Sequence, residues 1–214
     1  MSENRRGSYA KTAQRRRAVA AAAVEILREA GLAGLTTSDV ARRAGISERS
    51  LFYHFPTRDH ILVAALESAD EAAAIESIDS YEETNEHLGH LIESLVAAAS
   101  GEPWKAALTV SLSGAAQDPD HPAHDYFVRH YATALSGFAE VVRRRQAAGL
   151  AHPDLDPEQV ARHFVAAWEG LQAQWLVTQS FDLSREVVAA FRHLSGQGLM
   201  EFRRVFDSFA AGAS

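Results

Sequence analysis

The chain has 214 residues, 47 % hydrophobic and 23 % charged, and no cysteine; it can bury a substantial core, and disulfides, thiol redox sensing and cysteine metal sites are excluded. No apolar run approaches the ~20 residues that span a bilayer and no N-terminal apolar segment marks a signal peptide, so a cytoplasmic location is expected. The net charge of −7 alone speaks against nucleic acid, but residues 1–60 carry 11 Lys+Arg against 6 Asp+Glu while the rest carries 10 against 22, which suits a protein that meets phosphates at one end only.

Residues 1–10 are polar, include Gly7, and read as a flexible basic arm in which Arg5 and Arg6 could reach a minor groove. From Thr12 to Ala30 a helix is expected, with Val19, Ala23, Ile26, Leu27 and Ala30 on one face and Gly31 as its stop. The Arg15–Arg16–Arg17 run on it is either a solvated face or part of a phosphate-facing surface. Thr36 or Thr37 can cap the next helix, because a threonine hydroxyl accepts a free amide hydrogen bond at that position. Val40, Ala41 and Ala44 then share a face at helical spacing, and Gly45 stands where a helix end favours a positive φ. Ile46 fills the angle between two helices and Ser47 caps the second. On that second helix Leu51 and Phe55 point to a core, while Glu48, Arg49, Ser50, Tyr53 and His54 face outward. Two short helices about a glycine turn, the second polar on its outer face, make a helix-turn-helix suited to a major groove.

The string GISERSLFYHF followed by Arg58 resembles the recognition segment of the tetracycline-repressor (TetR) family. The match lies at Gly45, Ile46, Ser47, Ser50, Leu51, Tyr53, His54 and Phe55. Phe52 stands where the family usually has tyrosine, and Arg58 where it usually has lysine. With Thr36, Thr37, Val40, Ala41 and Ala44 upstream, the resemblance covers roughly residues 12–66. It implies DNA contact through Thr36, Thr37, Ser38, Ser47, Glu48, Arg49, Ser50, Phe52, Tyr53, His54 and Arg58. Ser38, Glu48 and Arg49 are free to read bases, Arg on guanine being the commonest such contact. Thr37, Ser50, Tyr53, His54 and Arg58 are expected mainly on phosphates.

Beyond Pro56, Thr57 can cap a helix running through Ile61, Leu62, Ala65 and Leu66 to about Ile78, similar to the family's connecting helix. Acidic residues crowd 67–86, and helix is expected again over about 86–100, 104–116 and 123–148, the last ending at Gly149. Asp156 can cap a helix that begins at Pro157 or Glu158 and runs to about Gln179. A last helix is expected from Ser184 to about Phe209. No strand alternation appears, so the fold class is all-α, with about nine helices as the resemblance implies. A DNA-binding domain over 1–60 and an effector-binding and dimerisation domain over 61–214 are expected.

Histidine clusters at His87 and His90 with Glu83, and at His121, His124 and Asp125, have metal-like spacing but match no metalloenzyme motif. Capping and solvated roles are expected, with no metal or cofactor. No nucleophile elbow or Walker loop occurs, and Gly196–Gln197–Gly198 lacks the third glycine and preceding strand of a dinucleotide site. No enzymatic activity is expected.

Residues 168–191 resemble the C-terminal segment of one TetR subgroup, with Glu169 for the usual aspartate. The resemblance implies that the last two long helices pair with those of a second subunit, with Leu171, Trp175, Phe191, Leu194 and Phe202 at the interface. It also implies an effector pocket in the regulatory helices, for which Trp104, Leu108, Phe127, Tyr131, Phe164, Trp168 and Gln172 are candidates by type. The expected whole is a homodimeric regulator, most simply a repressor, released from a pseudo-palindromic DNA operator by a small, largely apolar effector, without contact with a membrane. The alternative is a helical ligand-binding or protein-interaction dimer whose helix-turn-helix is vestigial.

Overall fold

Gly31 makes the first corner of the chain. Its φ of 66° lies in the left-handed region, where only glycine sits without strain, and the helix begun at Glu3 turns there before a short helical piece ends at Gly34. A computed structural model describes residues 3–78, 92–94, 96–97 and 101–212, with side chains over 11–71, 92–94, 96–97 and 101–205. Helix α1 (Glu3–Gly34) therefore includes residues 3–10, where an arm was expected. Gly7 is the one poor helix former among them, and a glycine that costs about 1 kcal/mol need not stop a helix.

After α1 come α2 (Thr37–Arg43), α3 (Glu48–His54) and α4 (Arg58–Ile78), then α5 (Pro103–Ala115), α6 (His124–Ala147), α7 (Pro157–Thr178), α8 (Leu183–Leu194) and α9 (Gln197–Gly212). Residues 92–94 and 96–97 are also helical, and no strand occurs among the described residues. The fold is all-α. Two compact units are present, one from Met1–Tyr81 and Glu102–Phe127, the other from Glu82–Gly101 and Val128–Ser214.

In the first unit α1 packs on α2, α4 and α5, and α2 packs on α3. Val19, Ala23, Ile26 and Leu27 of α1 meet a core that includes Val40, Leu51, Phe55, Ile61 and Leu66, all buried. Ala30, expected on that face, is exposed, because Gly31 turns the chain one residue later. Glu102 precedes α5 without capping it; its carboxylate is held instead by Arg28, through Nε and Nη2 at 2.7–3.2 Å, and by the Trp104 indole N–H.

In the second unit Ile92, Val96, Val142, Val160, Phe164, Leu183, Val187 and Phe191 form the core. Phe164 stands edge-on to Phe138 and Phe191, with ring centroids 4.8 and 4.9 Å away, the favoured aromatic geometry. Asp156 and Asp182 cap α7 and α8, accepting from the amides of Glu158 and Arg185. The single last helix expected from Ser184 is broken in two at Gly196, whose φ is 66°. A Cβ at Gly196 would lie 2.8 Å from the His152 Cβ, so both conformation and space require glycine there.

Candidate nucleic-acid interface

Helix α3 has seven residues, too few to hold its shape alone, and its form comes from its ends and one buried face. At the start, the Ser47 hydroxyl accepts from the Ser50 amide at 3.2 Å. Leu51 and Phe55 are 0 % exposed, and burying each contributes about 1.5–3 kcal/mol. The opposite face is open: Glu48 and Arg49 are exposed and Tyr53 is 83 % exposed. Phe52 is exposed as well, while Ser50 and His54 are half-buried. One helix thus turns its apolar side inward and carries an acid, a guanidinium and a phenol outward.

Helix α2 begins at Thr36, whose hydroxyl accepts from the Asp39 amide at 3.1 Å and donates to Asp39 Oδ2 at 2.7 Å. The cap is therefore Thr36, of the two candidates. Thr37 is half-buried and Ser38 exposed. Between the helices Gly45 adopts φ 67°, and the Ile46 amide bonds back to the Ala41 carbonyl at 3.0 Å, which sets the turn.

The Arg58 guanidinium is bonded within the chain. Its Nη2 donates to the Leu32 carbonyl at 2.6 Å and its Nε to the Leu35 carbonyl at 3.4 Å. The guanidinium joins the start of α4 to the turn between α1 and α2 rather than standing open with Arg49 and Tyr53. The planar five-donor fork of arginine, which lysine lacks, permits this bridge.

Arg16 was visible in the sequence only as part of a basic run. Its Nη1 donates to the His54 carbonyl at 2.9 Å, and its Cζ lies 4.5 Å from the centre of the Phe55 ring. The two sites are 38 residues apart, and no local pattern announces such a contact.

The pocket candidates divide between the two units: Trp104, Leu108 and Phe127 in the first, Tyr131, Phe164, Trp168 and Gln172 in the second. Leu108, Phe127 and Phe164 are closed into core, and the Trp104 indole is tied to Glu102. Tyr131 donates to Glu169 Oε2 at 3.2 Å; burial, and then the nearby carboxylate, push its pKa up to about 12. Two clefts in the second unit lie elsewhere. One of about 580 Å³ at the joint of α8 and α9 is bordered by Arg192, His193, Gln197 and Leu199. Another of about 280 Å³ lies between α6 and α7, beside Leu135, Arg143 and Arg162. Below the first, Arg145 is 1 % exposed and donates to Gln197 Oε1 at 2.7 Å.

Of the interface candidates, Phe191 is 1 % exposed and belongs to the chain's own core. Leu183, Val187 and Phe191 recur at i, i+4 and i+8, so that stripe of α8 faces its own unit. Leu171, Trp175 and Leu194 are half-buried against the same core. Phe202 is 72 % exposed and shares α9 with exposed Leu199 and Val205.

Of the two histidine clusters, Glu83, His87 and His90 lie outside the described residues. His121 accepts from the Ala123 amide through Nδ1 and stands 3.3 Å from Asp59 Oδ2 through Nε2, while His124 Nδ1 donates to the Ala116 carbonyl at 2.8 Å. These bonds tie the turn before α6 to α4 and α5. Among the described residues no group of three or more His, Asp or Glu is placed to hold a metal ion, and no helix is long and apolar enough to cross a membrane.

Residues 19–65 match the family of bacterial regulatory proteins designated tetR. The A-factor receptor protein of Streptomyces griseus is 23 % identical over 193 residues, which cover 86 % of this chain and 64 % of that protein, so the match spans less than two thirds of it. A TetR transcription regulator from Haloarcula marismortui has the same fold, with a TM-score of 0.66, 22 % identity and coverage of 86 % of this chain and 96 % of that one. So has FadR of Thermus thermophilus, a TetR-family transcriptional repressor in complex with lauroyl-CoA, with a TM-score of 0.59, 20 % identity and coverage of 84 % and 92 %.

Proposed function

We propose that this chain, whose residues 19–65 match the family of bacterial regulatory proteins designated tetR, is a homodimeric transcriptional repressor of the cytoplasm, released from its operator by a small molecule. The family is one of regulators rather than enzymes. The observation that carries the reading is α3: Leu51 and Phe55 fix its inner face while Arg49 and Tyr53 are exposed on the outer one. Arg49 reads bases, with Glu48 and Ser38 beside it; Tyr53 and Thr37 hold phosphates and set register. DNA contact falls to residues 1–60, and effector binding and dimerisation to 61–214.

The exposed row Leu199, Phe202 and Val205 supports a second copy as partner, since large apolar groups left together on a surface mark an interaction face. Two copies would set two recognition helices one DNA turn apart, roughly 34–36 Å, on a pseudo-palindrome. The core of the second unit is built of aromatic and aliphatic groups, which supports a largely apolar effector. The FadR relative is in complex with lauroyl-CoA, a molecule with a long apolar chain. By linkage, an effector that weakens DNA binding tenfold favours the released state by about 1.4 kcal/mol.

The test is binding of the purified protein to the DNA upstream of its own gene, with acyl compounds and hydrophobic metabolites then titrated in. Saturable binding that such a molecule reverses is expected. Binding no tighter than to unrelated DNA would favour the vestigial helix-turn-helix.

A further inference from the structure

Helix α3 is held at its start by Ser47 and along its inner face by Leu51 and Phe55, but its far end needs its own fixture. The last carbonyls of any helix lack intrahelical partners and carry the negative end of its dipole. Here the chain leaves helical geometry at once, with Phe55 at φ −138° and ψ 88°. Arg16, from the middle of α1, meets this end in two ways. Its Nη1 donates to the His54 carbonyl at 2.9 Å, and its guanidinium lies over the Phe55 ring at 4.5 Å. Neighbouring Arg15 and Arg17 are exposed and make no such contact among the described residues.

We propose that Arg16 is a positioning residue for DNA recognition, fixing the carboxyl end of α3 so that the outward side chains are presented in one orientation. The path is short. The His54 carbonyl is held by Arg16, and the His54 ring stands edge-on to Tyr53 with centroids 5.1 Å apart. Tyr53 is thus steadied from a residue on another helix. Loss of Arg16 frees the last turn of α3 and, with it, the angle at which Tyr53 and Arg49 approach a groove. Arg16 itself is exposed, so its removal leaves the core of the unit intact. Arginine suits the role better than lysine because one planar group donates to the carbonyl and stacks on the ring at once.

This inference rests on the DNA-binding reading, and the test separates the two. Full-length wild type, Arg16→Ala and Arg16→Lys are compared on two duplexes, the one wild type recovers from a random-sequence pool and a random-sequence control. Amide hydrogen exchange in α3 is measured on each protein without DNA. Positioning predicts that Arg16→Ala lowers the ratio of selected to random affinity about tenfold, and that exchange at the Phe55 amide quickens in the free protein. Arg16→Lys is expected between the two, and carries the comparison alone if the alanine variant does not fold. A loss equal on both duplexes, with a salt slope smaller by about 0.9 and unchanged exchange, would show a phosphate contact and overturn the proposal. So would unaltered binding. If wild type recovers no duplex, the DNA-binding reading falls instead, and the exchange measurement alone decides whether Arg16 orders α3.

Discussion

The Nη2 of Arg58 lies 2.6 Å from the carbonyl oxygen of Leu32. With the longer bond from Nε to Leu35, it ties the first residue of α4 to the turn that launches α2. The position therefore acts on the stability of the helix-turn-helix before it acts on DNA. Arg58→Ala is expected to cost about 1.5–3 kcal/mol, the range for a hydrogen bond to a charged group, read as a lower denaturation midpoint without DNA. Arg49→Ala and Tyr53→Phe are expected to leave that midpoint in place. Equal midpoints for Arg58→Ala and wild type would return Arg58 to the phosphate-contacting set.

Arg49 and Tyr53 share an exposed face but are expected to fail differently. Arg49→Ala should cost about 1–3 kcal/mol at one base position and relax choice there, while Tyr53→Phe should weaken all sequences alike. Binding selections on the two variants distinguish them. An unchanged motif from Arg49→Ala would remove it from base reading.

Phe191 and Phe202 lie 11 residues apart in two helices expected to be one, and the structure buries the first and exposes the second. Phe191→Ala should open a cavity in the second unit and cost about 3–5 kcal/mol without changing the subunit count. Phe202→Asp should leave the fold intact and yield monomers, because an unpaired charge would be buried at the interface. Sedimentation reads the subunit count, and a folded Phe202→Asp dimer would move the interface away from α9.

Tyr131 predicts an alkaline transition. Its pKa is raised from 10 to about 12 in the folded chain, so the folded state holds this proton more tightly than the unfolded one. The stability that follows is fully present below pH 10 and is lost as pH rises through about 12. Tyr131→Phe should flatten the fall over that window in a series of denaturation midpoints. An equally steep fall in the variant would assign the alkaline loss to other groups.

Much of the helix-turn-helix was legible because its signals are local. Thr36, Gly45, Ser47, Leu51 and Phe55 each act within one turn of their own position, through a cap, a left-handed φ or helical spacing. Contacts across the chain were not legible: Arg16 with His54 spans 38 residues and Arg28 with Glu102 spans 74. Nor does apolar spacing tell an inward stripe from an outward one, and so it sets Phe191 beside Phe202. The break before α9 had a visible sign in Gly196, but a glycine inside a helical pattern does not by itself announce a positive φ. Aromatic type alone makes Phe164 and Trp104 pocket candidates, but it does not show that Phe164 packs into the core of the second unit or that the Trp104 indole bonds to Glu102.

On the proposed reading, the outer face of α3 reads DNA as one of a pair. That reading is tested most directly by selecting from a random-sequence duplex pool with the purified full chain and sequencing what is bound. The expected result is an inverted repeat whose half-sites lie about 10–10.5 base pairs apart, centre to centre. A pool that shows no enriched motif after repeated rounds, with the protein folded throughout, would contradict it.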